Sequence, residues 1–351
     1  MSSTPMPASG SEPDASGDWL LEIDDLHVQF NLRGGPVHAV NGVSIRLRRG
    51  ETLGIVGESG SGKSVTAMSI LRLLPDPPAK ITRGTIRFRG SDMLALSPTE
   101  LRKIRGKDIS MIFQEPMTSL NPVVTIGQQI SEAIVLHQGV SRSEAMTRAA
   151  DMLRLVRISE PEHRLSEYPH QLSGGMRQRV MIAMALSCSP QVLLADEPTT
   201  ALDVTIQAAL LNLINELQER MGTAIILITH DLGLVAENAD RVVVMYGGKT
   251  VEEADVDELF TLPLHPYTRG LLGAIPSIDG ETAGVDGRHR LHEIKGTVPS
   301  LRKLPVGCTF APRCPLASSI CETNVPPLEQ HRPGHWAACW FAADRARGAQ
   351  P

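Results

Sequence analysis

The stretch GESGSGKS, residues 57–64, constrains the fold of this 351-residue chain more than any other feature. It follows a short apolar run and precedes apolar residues at helical spacing, which predicts a strand, a glycine-rich loop and a helix in that order. Such a loop turns backbone N–H groups around phosphate oxygens, and the helix N-terminus adds partial positive charge. The sequence therefore predicts a site for the phosphates of a nucleotide.

The rest of the chain divides into regions of different character. Residues 1–18 are rich in Ser, Pro, Gly and Asp with no apolar block, which is typical of a disordered tail. Residues 19–250 alternate strand-like and helical runs, so we expect an α/β domain whose largely parallel sheet has helices on both faces. Helical patterns dominate at about residues 115–182. Residues 251–351, rich in Pro and Cys, are expected to form a separate C-terminal extension.

Composition excludes several classes of function. With 34 basic and 39 acidic residues, the chain has no general electrostatic attraction for nucleic acid. No apolar run approaches the roughly 18 residues that a membrane span needs. Because residues 1–18 also differ from a signal peptide, we expect a cytosolic protein, in which structural disulfides are improbable.

Two further motifs add chemistry to the phosphate loop. VLLADEP, residues 192–198, ends an apolar run with Asp196 and Glu197, which could reach a magnesium ion and a water beside the γ-phosphate. Taken alone, this pair could equally mark a strand followed by a capped helix. LSGGM, residues 172–176, opens a helix with a second anion-binding N-terminus. Because one nucleotide does not need both ends, a head-to-tail dimer is the economical explanation.

These ordered motifs resemble the ABC-type ATPases, the nucleotide-binding subunits of transporters, over about residues 20–275. The resemblance implies a P-loop fold with a RecA-like core, an antiparallel β subdomain and a helical signature subdomain, followed here by a small Cys-rich C-terminal extension. It implies ATP hydrolysis with Glu197 as the catalytic base and Lys63 on the phosphates. Gln114 would sense the metal and the γ-phosphate and contact the membrane partner, while His230 would hold the γ-phosphate.

The same resemblance assigns the remaining contacts of the nucleotide. The residues it places around bound ATP are Phe30, Gly57, Glu58, Ser59, Gly60, Ser61, Gly62, Lys63, Ser64, Val65, Gln114, Ser173, Gly174, Gly175, Asp196, Asp203 and His230. The residues it places around Mg²⁺ are Ser64, Gln114 and Asp196. Two roles keep an alternative: Phe30 stacks on adenine or packs in the core, and a histidine such as His230 after an apolar strand is often structural.

Two stretches narrow the family. NPVVTIGQQISEAI (121–134) and LPLHPYTRGLLGAIP (262–276) resemble the dipeptide and oligopeptide importers, a branch that also includes nickel importers. This resemblance implies a paralogous second ATPase subunit, two membrane permease subunits and an extracytoplasmic substrate-binding protein, with this chain peripheral on the cytoplasmic face of the membrane. A soluble ABC ATPase acting on nucleic acid or ribosomes would normally carry two cassettes or a coiled-coil insertion, and neither is present. A P-loop GTPase or kinase has no use for LSGGM.

Four of the five cysteines, Cys308, Cys314, Cys321 and Cys339, cluster near the C-terminus. Their gaps of five, six and seventeen residues contain no C-x-x-C pair, which suits a [4Fe–4S] cluster or an irregular Zn²⁺ site. Resemblance to the peptide importers, some of which bind a cluster in this region, favours the cluster, with His331 and His335 as reserve zinc ligands. The metal would hold the extension together, and a redox or iron-sensing role is a sharper alternative.

Overall fold

A computed structural model describes residues 19–114, 119–199, 204–275 and 294–348. The expected disordered tail, residues 1–18, and the expected nucleotide contact Asp203 lie outside the described residues. Among the helices of these ranges, none has both the length and the apolar composition needed to cross a bilayer.

The secondary structure follows the predicted alternation of strand and helix. The strands, in chain order, are β1 (Trp19–Leu32), β2 (Gly35–Arg48), β3 (Thr52–Val56), β4 (Ala79–Phe88), β5 (Ser91–Asp92), β6 (Ile109–Ile112), β7 (Val192–Asp196), β8 (Ala224–Thr229), β9 (Arg241–Tyr246), β10 (Lys249–Asp255), β11 (Glu329–Arg332) and β12 (His335–Ala337). The helices are α1 (Lys63–Ile70), α2 (Pro98–Ile104), α3 (Ile126–Gln138), α4 (Arg142–Leu155), α5 (Pro161–Arg164), α6 (Gly174–Leu186), α7 (Val204–Met221), α8 (Leu232–Asn238), α9 (Val256–Thr261), α10 (Pro266–Gly273), α11 (Ser319–Thr323) and α12 (Ala342–Ala346).

Two sheets organise these elements. The smaller sheet has the order β2-β1-β4-β5, and all of its pairs are antiparallel. The larger sheet has the order β11-β12-β10-β9-β3-β8-β7-β6, and its pairs from β9 to β6 are parallel. Every residue of β3, β7, β8 and β9 is buried, as expected for parallel strands covered on both faces. The predicted largely parallel sheet is confirmed.

The helical region shares a core with the parallel sheet. Thr125 begins α3 with a capping box, in which its side chain accepts from the Gln128 N–H. The apolar faces of α3, α4 and α6 pack together, and the same cluster includes Leu193 and Ala195 of β7. This common core fixes the start of α6 relative to the carboxyl end of β7, where Asp196 lies.

The C-terminal extension is joined to the larger sheet, which differs from the expectation of a separate unit. Strand β10 pairs with β9 on one side and with β12 on the other, so the last strands of the chain continue the large sheet. Tyr246 at the end of β9 also packs against Tyr267 and Phe310, with ring centroids 4.7 and 5.2 Å away. The extension therefore contributes to the core around the sheet edge.

Candidate nucleotide-hydrolysis site

The phosphate loop lies between β3 and α1 and is packed tightly against its surroundings. Gly57 has φ 151° and Gly62 has φ 101°, values that favour glycine. A Cβ atom on Gly57 would lie 2.2 Å from the carbonyl oxygen of Met245, and one on Gly62 would lie 2.5 Å from that of Ala39. Backbone packing therefore requires glycine at both positions.

Lys63, the first residue of α1, reaches back to the loop that precedes it. Its side chain is buried, and Nζ donates to the carbonyl oxygens of Gly57 at 2.7 Å and Glu58 at 3.1 Å. Burial lowers the pKa of Lys63, while the charges of Glu197, Asp196 and Glu58 oppose that shift. Phosphate oxygens would compete with these carbonyl groups for the ammonium protons. The arrangement therefore suits a lysine that binds the β and γ phosphates.

Ser64 and Asp196 meet beside the loop. The Ser64 hydroxyl donates to Oδ1 of Asp196 at 2.9 Å. Burial raises the pKa of Asp196, and the hydrogen bond from Ser64 opposes it. One hydroxyl and one carboxylate next to a phosphate site form the oxygen donor set that Mg²⁺ prefers, with phosphate oxygens and water completing the shell. These two residues fit the expected metal ion.

Glu197 is held between two polar side chains from neighbouring strand ends. Strand β7 ends just before Glu197, which has a φ of 46°. The N–H of Glu197 donates to the Ile228 carbonyl oxygen at 2.9 Å. Gln114 Nε2 donates to Oε2 of Glu197 at 2.9 Å, and His230 Nδ1 lies 3.4 Å from Oε1. Gln114, also expected at the metal, thus contacts the carboxylate of Glu197, the residue expected to act as the base. His230 is 64% exposed, which is unlike a histidine that only fills the core.

The signature residues lie at the start of α6. Ser173 is exposed and caps the helix, because its hydroxyl accepts from the Met176 N–H at 3.4 Å. A Cβ atom on Gly174 would meet none of the described residues within 4 Å, and one on Gly175 would meet Ile206 at 3.6 Å. Ser173 and Gly174 are both exposed at the start of this helix.

The remaining expected nucleotide contacts fall into two groups. Ser59 and Gly60 are exposed at the tip of the loop, whereas Ser61 is buried. Phe30 pairs with Val37 and Ala79 and is partly buried against the core, as is Val65 on α1. Phe30 therefore makes the core contact that was its alternative role, while part of its surface stays accessible.

Sequence reasoning missed the residues that hold Glu58. The Glu58 N–H donates to the Tyr267 hydroxyl at 2.8 Å. Arg313 donates to both carboxylate oxygens, at 2.7 and 3.1 Å. The available signal was the charge of Glu58 itself, because a carboxylate inside a phosphate loop needs a cation nearby.

All four clustered cysteines line one pocket in the extension. The pocket is lined by His265, Pro266, Cys308, Phe310, Ala311, Cys314, Cys321, Pro326, Cys339, Trp340 and Phe341. The thiols are free, and burial raises the pKa of Cys308, Cys314 and Cys339, the last to about 11. Within the described ranges, no three His, Cys, Asp or Glu side chains are grouped so that they could share one metal ion.

The phosphate loop, the buried aspartate and the contacts of Glu197 define an ATPase of the ABC type. A model of the ABC transporter family matches residues 40–200. A dimeric ATP-binding cassette in a post-hydrolysis state, bound to ADP and phosphate, matches the fold with a TM-score of 0.61 and 28% identity over 67% of this chain and 98% of its own. A component of an ABC transporter complex from Clostridium perfringens matches with a TM-score of 0.59 and 30% identity, covering 70% of this chain and 91% of its own.

Comparison with curated proteins narrows the class. A model described as the C-terminal region of oligopeptide/dipeptide transporters matches residues 251–321. A probable peptide ABC transporter ATP-binding protein from Sinorhizobium fredii is 56% identical over 94% of this chain and 96% of its own length. An oligopeptide transport ATP-binding protein from Bacillus subtilis is 53% identical over 92% of this chain and 96% of its own. The chain belongs to the family of dipeptide and oligopeptide ABC transporter ATP-binding proteins.

Proposed function

We propose that this ATPase powers the import of dipeptides or oligopeptides by an ABC transporter. The observation that carries the proposal is the 56% identity, over 94% of the chain, to a relative named as a probable peptide ABC transporter ATP-binding protein. The match of residues 251–321 to the C-terminal region of such transporters supports the same substrate class. The relatives do not distinguish a dipeptide from a longer peptide, since both substrates occur in their names.

In the proposed reaction the chain's own residues bind the phosphates and orient a water molecule. N–H groups of the phosphate loop and Lys63 hold the phosphate oxygens, and Ser64 and Asp196 would hold Mg²⁺, which when bound would neutralise charge on the phosphates. Glu197 takes a proton from water as the water oxygen attacks the γ-phosphorus. The bond to the bridging oxygen breaks, and ADP leaves with that electron pair. Gln114 keeps the Glu197 carboxylate aimed at the water.

The proposed assembly is a head-to-tail pair of ATPase subunits, the second being a paralogue. The exposed Ser173 and Gly174 at the start of α6 would close on the partner's nucleotide, with Gly175 and Asp203 in the same interface. His230 would hold the γ-phosphate. The pair would act at the cytoplasmic face of the membrane beneath two permease subunits, which receive substrate from an extracytoplasmic binding protein.

We further propose that Cys308, Cys314, Cys321 and Cys339 hold a [4Fe–4S] cluster that stabilises the extension. Their shared pocket supports a common ligand. A single tetrahedral Zn²⁺ with bonds of about 2.3 Å needs its sulfurs within about 3.8 Å of one another. In a cluster each thiolate binds a different iron, so the sulfurs stand further apart. The spacing of the four sulfurs therefore distinguishes a cluster from a single zinc ion.

The reserve zinc ligands are engaged elsewhere. His335 is fully buried and its Nε2 lies 2.8 Å from Oε1 of Glu252, while Nε2 of His331 lies 3.2 Å from the Ala337 carbonyl oxygen. Anaerobically purified protein is expected to contain iron and acid-labile sulfide, and the substitution Cys339→Ser should lower the content of both. Cys188→Ser is the control, because that thiol lies at the end of α6 against the Ala133 carbonyl oxygen. Zinc without sulfide would contradict the cluster.

Substrate transport is tested with the assembled transporter. Tagged full-length protein is used to co-purify its permease subunits, which are reconstituted into vesicles with their binding protein. Uptake of labelled dipeptide, oligopeptide and Ni²⁺ is then measured with ATP on the cytoplasmic side. We expect ATP-dependent peptide uptake that Lys63→Ala abolishes and that Lys103→Ala, an exposed lysine on α2, leaves intact. Uptake of Ni²⁺ alone, or purification with ribosomes instead of permeases, would contradict the proposal.

A further inference from the structure

Arg313 of the extension reaches the phosphate loop, and every nitrogen of its guanidinium group makes a hydrogen bond. Its side chain is 6% exposed. Besides its two bonds to Glu58, Nη1 donates to the Tyr246 hydroxyl at 3.3 Å, and Nη2 and Nε donate to the carbonyl oxygens of Ile294 and Lys295 at 3.1 and 3.2 Å. The planar fork is therefore fixed between a core strand, the extension and the loop.

Glu58 is constrained at each of its polar groups. Arg313 holds its carboxylate, the Tyr267 hydroxyl holds its N–H, and its carbonyl oxygen accepts from Lys63 Nζ at 3.1 Å. A chain of direct contacts thus leads from Arg313 through Glu58 to the lysine that contacts the phosphates. We propose that Arg313 is a positioning residue for ATP binding, and that it acts on Lys63 through Glu58.

The charges explain why such a residue is needed. The carboxylate of Glu58 lies in a loop that binds a polyanion, so without a counter-ion it would repel the phosphates. It would also attract the Lys63 ammonium away from them, since the two groups already interact electrostatically. The bidentate pair with Arg313 neutralises the carboxylate and fixes its direction. Glu58 can then support the loop without competing for its lysine.

A second contact holds the extension on the nucleotide side of the sheet. The His38 N–H donates to the Leu301 carbonyl oxygen at 3.1 Å, and Arg302 donates to the Arg33 carbonyl oxygen at 3.3 Å. The segment before Arg313 therefore rests on the hairpin between β1 and β2, beyond Phe30. The contacts of Arg313 and of this segment involve no cysteine, so the inference does not depend on the proposed cluster. It rests on ATP hydrolysis and does not depend on the peptide substrate.

The test is a double-mutant cycle in the full-length chain. Parent, Arg313→Gln, Glu58→Gln and the double variant are compared by KM and kcat for Mg-ATP and by affinity for a fluorescent ATP analogue. Arg313→Lys is included because an ammonium keeps the charge but loses the bidentate geometry. Arg347→Gln is the matched control, since Arg347 is in the same extension, is 72% exposed and pairs only locally with Asp344 at 2.7 Å.

We expect Arg313→Gln to raise KM on the order of tenfold with a smaller change in kcat. Arg313→Lys should recover part of that loss. In the Glu58→Gln background the same substitution should have little further effect, because the charge on which Arg313 acts is gone. The free energy of unfolding in urea, measured for every variant, separates this result from general damage to the extension.

Three results would overturn the inference. The first is an unchanged KM in Arg313→Gln. The second is that the effects of Arg313→Gln and Glu58→Gln on KM are additive, because Arg313 would then act on ATP binding without Glu58. The third concerns the case in which Arg313→Gln does not fold. A folded Arg313→Lys variant with the parental KM would then overturn the positioning role.

Discussion

Acid should destabilise the extension through one buried histidine, His265. This residue is fully buried at the start of α10, where Nδ1 accepts from the Tyr267 N–H at 3.1 Å. The backbone N–H of His265 donates to Oε2 of Glu252 at 3.0 Å. Burial, reinforced by the charge of Arg345, lowers the pKa of His265 to about 3.

The sign and size of the effect follow from this pKa. In the unfolded chain a histidine has a pKa of about 6.5. Between pH 3 and pH 6.5, His265 is therefore protonated in the unfolded chain and neutral in the folded one. The contribution to stability is fully present above pH 6.5 and is lost as pH falls toward 3. The loss amounts to about 1.4 kcal/mol at pH 5.5 and about 2.7 kcal/mol at pH 4.5.

The substitution His265→Asn isolates this contribution. Asparagine keeps an acceptor for the Tyr267 N–H and is a favourable N-cap, but it does not titrate in this range. Free energies of unfolding in urea are measured for both proteins at pH 7.5 and 5.5. Other titrating groups are common to the two chains and cancel in the comparison. The parent should lose about 1.4 kcal/mol more than the variant between these pH values. Equal losses would refute the reasoning.

Two further substitutions probe the phosphate loop. Gly57→Ala should abolish ATP binding, and it should lower the free energy of unfolding by several times the roughly 1 kcal/mol expected for Gly139→Ala. The reason is that a new Cβ on Gly57 would meet the Met245 carbonyl oxygen, whereas one on Gly139 would not. Equal losses of stability in urea unfolding would contradict the packing argument. Ser64→Ala should raise the Mg²⁺ concentration needed for hydrolysis about tenfold or more, while Ser69→Ala, on the same helix, should leave it unchanged. A titration of rate against Mg²⁺ decides, and identical curves for both serine variants would exclude Ser64 from the metal site.

The central part of the fold was predictable because its signals are local. Each parallel strand is a short apolar run, and a motif residue or loop follows each of β3, β6, β7 and β8. The resemblance to ABC-type ATPases implied roles beside the γ-phosphate for Gln114, Glu197 and His230, and these residues follow the adjacent parallel strands β6, β7 and β8 at their carboxyl ends. The contacts of Glu197 with both partners agree with that reasoning.

The role of the extension could not be read from local patterns. Strands β10 and β12 pair Glu252 with Ala337, but burial along β10 does not alternate and β12 has only three residues. The contact between Arg313 and Glu58 joins residues 255 positions apart. An arginine between two prospective metal ligands has no sequence signal for contact with a phosphate loop. Only the folded sheet, which brings β10 beside β9, places the extension at the nucleotide site.

The central claim, ATP hydrolysis with Glu197 as base, is tested most directly by phosphate release from Mg-ATP in the parent and in Glu197→Gln. The glutamine side chain oxygen can still accept from Gln114, so the ground-state geometry is kept while the base is removed. We predict that ATP affinity stays within about threefold of the parent and that kcat falls by about 10² to 10⁴, the usual contribution of a general base, with the closed ATP-bound dimer accumulating. Phosphate release at the parental rate would contradict the account.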